Sequence, residues 1–117
     1  MFKLTVLGRI LEPGLVAVIR ADSSDNALRI ADACVDGGVA AIEITFTVPA
    51  AARVIEDLAK RYGSTGIVIG AGTVLDPETA RIATLAGCRF VVSPALNADT
   101  ARLCNRYQIP AWRRYRS

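Results

Sequence analysis

The 117-residue sequence contains no histidine. That excludes Ser-His and Cys-His nucleophilic machinery and histidine-based zinc sites. Any catalysis must then come from carboxylates, lysine, tyrosine, backbone groups or a cofactor. Lysine is scarce as well, with only Lys3 and Lys60. The cysteines are Cys34, Cys88 and Cys104, an odd number with no C-x-x-C pair, which suits reduced thiols in a cytosol. No apolar run is long enough to span a bilayer, so no membrane partner is expected. The stretch Met1–Arg9 lacks a long apolar segment followed by a small-residue cleavage site, so the expectation is a cytoplasmic protein.

An excess of positive charge is missing too, despite the formal +3. Arg113, Arg114 and Arg116 account for three of the 14 Lys+Arg, and the other 11 equal the 11 Asp+Glu. The body is neutral, with no basic stripe interleaved with aromatics, so no nucleic-acid partner is expected.

What is present is a 52% hydrophobic chain, enough for one small domain with a core. Four apolar runs read as strands: Leu15–Arg20, Ala40–Phe46, Gly66–Ala71 and Cys88–Val92. Each precedes a helical pattern. The first helix reads from Ser24 to Asp36, with Gly37-Gly38 as its stop, and the second from Ala50 to Tyr62, ending at Gly63. The third opens with the cap Asp76 and Pro77 and stops at Gly87. The fourth runs from near Asn97 to Tyr107. A short helix is expected over Phe2–Leu11. Near-continuous apolar strands repeated with helices at intervals of about 20–27 residues indicate a parallel sheet covered on both faces. Two architectures fit: an open doubly wound sheet, or part of a (β/α)8 barrel. Polar residues gather at the strands' C-terminal ends: Arg20, Thr45, Thr47, Thr73 and Ser93.

Within the second strand, alternation puts Ile42, Ile44 and Phe46 on one face and Glu43, Thr45 and Thr47 on the other. A charge in such a strand is costly, and its pKa is expected to rise. A carboxyl tuned that way suits proton transfer near neutral pH; its plain alternative is a structural ion pair with an arginine. Gly70-Ala71-Gly72-Thr73 lacks the third glycine of a dinucleotide fingerprint and lies on the third strand, so it reads as a tight turn with close packing beneath a ligand.

Val18-Ile19-Arg20, Gly37-Gly38-Val39, Ile42-Glu43-Ile44-Thr45, Gly70-Ala71-Gly72-Thr73-Val74-Leu75 and Val92-Ser93-Pro94 occur in this order and spacing in one family. From about residue 10 to 110 the sequence resembles the 2-keto-3-deoxy-6-phosphogluconate and 4-hydroxy-2-oxoglutarate aldolases. The resemblance implies a TIM barrel, assembled as a homotrimer in the full-length family. It also implies a class I retro-aldol cleavage to pyruvate and an aldehyde, through a Schiff base to lysine, with no metal or cofactor. The partners implied are small-molecule keto acids: pyruvate and phosphorylated sugar acids.

Carried over residue by residue, Glu43 is the general acid/base and Thr73 helps hold the pyruvate carboxylate. Some members grip that carboxylate with an arginine four residues after the glutamate. Here that position is Thr47, and Arg20 is the candidate to supply the guanidinium from the neighbouring strand. Thr45, Thr47 and Pro94 are read as pocket wall.

The family's Schiff-base lysine lies on the sixth strand, and neither Lys3 nor Lys60 matches it. Residues 1–110 therefore read as the N-terminal half of the barrel, inactive alone. Residues 111–117 read as a non-family tail. The codons GGC GTG GCG ACG GTA TCG encode a family-like Gly-Val-Ala-Thr-Val-Ser. Read one base in, they give Ala-Trp-Arg-Arg-Tyr-Arg, the tail's own order, so a frameshift is the expected source. A four-stranded half would expose edges at its first and fourth strands. The alternative function is a compact doubly wound binding or regulatory domain.

Overall fold

The computed structural model describes Gly8, residues 15–95 and residues 97–113. The helix expected over Phe2–Leu11 lies outside them except for Gly8, which is helical. Among the described residues from 15 onward, five strands alternate with four helices: β1 (Ala17–Ile19), α1 (Ser24–Asp36), β2 (Ala41–Thr45), α2 (Ala51–Tyr62), β3 (Val68–Gly72), α3 (Pro77–Ala86), β4 (Val91–Ser93), α4 (Ala98–Arg106) and β5 (Ala111–Arg113).

The helices start where side chains satisfy their orphan N–H groups. Ser23 accepts from the N–H of Asn26, Asp76 from Thr79 and Asn97 from Thr100. Each such cap is worth about 1 kcal/mol. α2 has no side-chain cap; Ala50 before it is left-handed (φ 54°). The preceding carbonyl, Pro49 O, accepts from Ser24 Oγ at 2.7 Å, tying this loop to the start of α1.

All neighbouring strands are parallel, in the order β1-β2-β3-β4-β5. This order decides between the two architectures. A doubly wound sheet reverses its strand order at a switch point and places helices on both faces. Strictly sequential order with right-handed crossovers places every helix on one face. The packing agrees. Ile19, Ile42, Ile44, Ile69, Ala71 and Val91 form one core with Ala27 and Ala31 of α1, Val54, Ile55 and Leu58 of α2, Ala80 and Ala83 of α3 and Cys104 of α4. The opposite face carries a second cluster of Ala41, Val68, Phe90 and Val92, with Val16 and Trp112 against it. The fold is α/β, parallel (β/α) units forming about half of a (β/α)8 barrel, and the second cluster is its interior.

Two expectations need correction. The sheet does not end at its fourth strand, because Ala111–Arg113 pairs with β4 through Val91↔Ala111, Val92↔Trp112 and Ser93↔Arg113. The alternation Ala-Trp-Arg sets the indole on the interior side, and Pro110 O accepts from the Val91 N–H at 2.9 Å. Among the described strands, the outer two are thus β1 and β5. The fourth strand also begins later than its apolar run. Cys88 donates its N–H to Ala83 O at 3.0 Å, so the start of the run closes the end of α3.

Candidate functional site

β2 is buried along its whole length. Its outward residues Ile42 and Ile44 enter the helical core, so alternation turns Ala41, Glu43 and Thr45 toward the barrel interior. Glu43 is 2% exposed. Register places it beside Val18 of β1 and Gly70 of β3.

The side chain of Glu43 leans along the strand, as strand side chains do. A Cβ built on Gly72 would overlap its Oε2 and lie 2.7 Å from its Cδ. The carboxylate therefore fills the bare spot over Gly72, one pleat repeat toward the C-terminal edge. A Cβ on Gly70 would meet the ring of Phe90 instead. The expectation of a tight turn at these glycines is corrected: both lie within β3, and both give room to interior side chains of neighbouring strands. The positive φ falls on the next residue, Thr73, at 55°. Left-handed backbone costs a β-branched residue about 1–2 kcal/mol, and such strain concentrates at functional sites. Ala50 carries the same strain just after β2, on the same edge of the sheet.

Beyond Glu43, Thr45 is fully buried. Its Oγ1 donates to Ile19 O at 3.4 Å and shares a 2.7 Å hydrogen bond with Thr47 Oγ1. Thr47 is exposed, so this pair leads from the interior to the rim. The pairing Thr45↔Gly72 sets the half-buried Thr73 next to them in register. Arg20 follows β1 on the same edge and is exposed; among the described residues no ion pair includes it. Pro94 follows β4 and is exposed. Ser93 before it is buried, and its Oγ accepts from the Ala95 N–H at 3.3 Å.

The sequence pattern sets Arg20, Thr45, Thr47, Thr73 and Ser93 at the strands' C-terminal ends and Glu43 on the face it shares with Thr45 and Thr47; it does not reveal the seat over Gly72. Its signal was available: two glycines two apart in a strand strip one face of side chains, and a large or charged residue on a neighbouring strand can use the space.

The chemistry open to this edge is that of a buried carboxyl with the Thr45, Thr47 and Thr73 hydroxyls along the same rim. Asp76, at the same edge after β3, is committed to capping: the Thr79 N–H holds its carboxyl below the usual carboxylate range. Lys60 stands elsewhere, at the end of α2, mostly exposed and 3.1 Å from Glu56. Among the described residues no cluster of three or more acidic or cysteine side chains could hold a metal ion. No helix among them is long and apolar enough to cross a membrane. Two clefts of about 380 and 330 Å³ lie on the helical side, one lined by Cys88, Arg89 and Tyr107 and the other by Arg53, Glu56 and Ile82. Neither touches Glu43.

A profile of the family described as KDPG and KHG aldolase matches residues 7–112. The chain is 36% identical over 105 residues to a 2-dehydro-3-deoxy-phosphogluconate aldolase of Haemophilus influenzae, covering 90% of this chain and 49% of that protein. The Legionella pneumophila KDPG aldolase, solved with pyruvate captured as a covalent carbinolamine intermediate, superposes with a TM-score of 0.73 at 30% identity, over 82% of this chain and 46% of that one. The Zymomonas mobilis 2-keto-3-deoxy-6-phospho-gluconate aldolase gives 0.73 at 33% identity, over 84% and 46%. The chain thus spans about half the length of the relatives it matches.

Proposed function

Because the chain belongs to the KDPG and KHG aldolase family, we propose that it carries the proton-transfer carboxyl and the keto-acid cradle of a class I aldolase. In this reading Glu43 moves protons as a lysine amine adds to the keto group and water leaves. It serves again as the carbon–carbon bond breaks, when the electron pair settles in the enamine and the aldehyde departs. Thr73 and Arg20 hold the carboxylate of the keto acid, and Thr45, Thr47 and Pro94 shape the wall. The observation that supports it most is the buried Glu43 carboxylate, set over Gly72 and directed to the C-terminal edge of the strands, where barrel enzymes build their sites.

The same reading gives pyruvate as the keto-acid product, from 2-keto-3-deoxy-6-phosphogluconate or 4-hydroxy-2-oxoglutarate. It makes the whole enzyme cofactor-free, trimeric and cytoplasmic. The imine-forming lysine belongs to the later strands of the barrel, so these 117 residues alone are inactive. In this reading residues 1–110 are the N-terminal half and residues 111–117 a tail of frameshifted coding, of which Ala111–Arg113 pairs with β4. Sequencing the DNA downstream of codon 117 tests the last point: the other frame should read on into a lysine-bearing half, and its absence removes the idea.

The direct test is borohydride trapping with pyruvate. The chain alone should capture none. Mixed with a polypeptide supplying the later strands and their lysine, it should give trapped adduct and turnover. Glu43→Gln should cut that turnover by about 10²–10⁴-fold. Trapping on this chain alone, or full turnover by Glu43→Gln, would reject the assignment.

A further inference from the structure

We propose that Gly72 is the positioning residue of Glu43: its missing side chain is the seat that holds the carboxyl at the catalytic edge. On the interior face, β3 presents Val68, Gly70 and Gly72, two bare places in a row. The ring of Phe90 fills the first and the Glu43 carboxylate fills the second. The two occupants constrain each other. With Phe90 fully buried over Gly70, the place directly beside Glu43's own Cα partner is taken. The carboxyl is therefore carried forward to the level of Thr45 and Gly72. That level is the last of the strand, and Thr73 follows at once.

The fit is too close to survive a methyl group. A Cβ at 72 would stand 2.7 Å from Cδ and 3.0 Å from Cγ of Glu43, so the shift would involve the stem of the side chain as well as its tip. In a close-packed interior such an overlap is relieved by an off-rotamer side chain or a strand displacement. Either one moves the carboxyl. The functional weight of this inference rests on the reading of Glu43 given above; its geometry does not.

The test is a cycle on the full chain: Gly72→Ala, Glu43→Ala and the double variant, followed by thermal melting. A ¹³C titration of the Glu43 side-chain carboxyl accompanies it. Gly72→Ala should lower Tm by more than about 5 °C when Glu43 is present and by less than about 2 °C when residue 43 is alanine. The Glu43 carboxyl resonance should move, and its titration midpoint should shift. Glu43→Asp, one methylene shorter, should recover most of the loss caused by Gly72→Ala. If Gly72→Ala does not fold, folding of the double variant reads the same coupling. Equal losses in both backgrounds with an unmoved resonance, or a double variant that also fails to fold, would overturn the seat. Full turnover by Glu43→Gln would instead remove the proton-transfer role and leave the coupling standing.

Discussion

The rings of Phe90 and Trp112 lie parallel, 6° apart in plane with centroids 5.3 Å apart, on the same face of the sheet as Glu43. Stacking of this kind adds about 0.5–1.5 kcal/mol to the area each ring buries. Trp112 is the sole tryptophan, so its emission reports on this interior alone. Phe90→Leu should destabilise the fold by about 1–3 kcal/mol and shift the emission to the red as the indole loses its cover. Urea melts and emission spectra check both. An unchanged spectrum would mean that the stack does not persist in solution.

A second relationship ties the helices outside the barrel. Arg61 donates twice to Asp32, at 2.7 and 2.6 Å, and Tyr62 Oη donates to the same carboxylate, so α2 is fastened to α1. The Tyr62 hydroxyl and then the Arg61 guanidinium hold the Asp32 carboxyl below its ordinary range. A depressed carboxylate contributes stability above its unfolded pKa of about 3.9, and that contribution fades as pH falls through the lower, folded value. Both ion-pair partners are about four-tenths exposed, so screening keeps the gain under about 1 kcal/mol. Asp32→Asn should cost stability at pH 7 and converge with the parent as the pH falls through the lowered, folded value. Melts across pH 2–7 measure this, and a gap that does not narrow on acidification would refute the assignment.

Cysteine reactivity gives a third prediction. Cys88 and Cys104 are fully buried and Cys34 is half-buried. Burial pushes the Cys88 thiol up to about 12. The thiolate is the reactive species, so at pH 7–8 a thiol reagent should modify Cys34 first and reach Cys88 and Cys104 only after unfolding. Counting adducts by mass before and after denaturant decides it. Because the Cys88 pKa is raised, the stability tied to its neutral form is present below about 8.5 and is lost as pH climbs toward 12.

Much of this architecture was legible in the chain because local signals and tertiary packing agree. Ser23, Asp76 and Asn97 cap helices whose apolar positions recur at helical spacing, and α1 lies over the very residues its pattern marked, Ser24–Asp36. Strand limits were less legible because apolar runs also serve other ends. Leu15 is 64% exposed before β1, and Cys88 closes a helix. The pairing of Ala111–Arg113 is not legible in the sequence, since a three-residue strand carries almost no period of its own and is fixed by the β4 backbone beside it. In the candidate site, alternation identified which residues share the Glu43 face. It could not identify where the carboxyl rests, because that depends on the emptiness of Gly72 on another strand.

Thr73 offers the sharpest contrast between stability and function. A β-branched residue at φ 55° stores about 1–2 kcal/mol that asparagine, which tolerates left-handed backbone, would largely release. If the chain keeps threonine there for its side chain's contact with the keto-acid carboxylate, Thr73→Asn should leave Tm unchanged or raise it. Pyruvate binding in the complemented enzyme should weaken about tenfold or more, the loss of one hydrogen bond to a charged group. Calorimetric melts of the chain and pyruvate titrations of the complemented enzyme separate the two effects. A lower Tm with unchanged pyruvate affinity would make Thr73 a structural residue and move the carboxylate contact to Arg20, whose replacement by lysine would then lose the bidentate grip of the guanidinium fork.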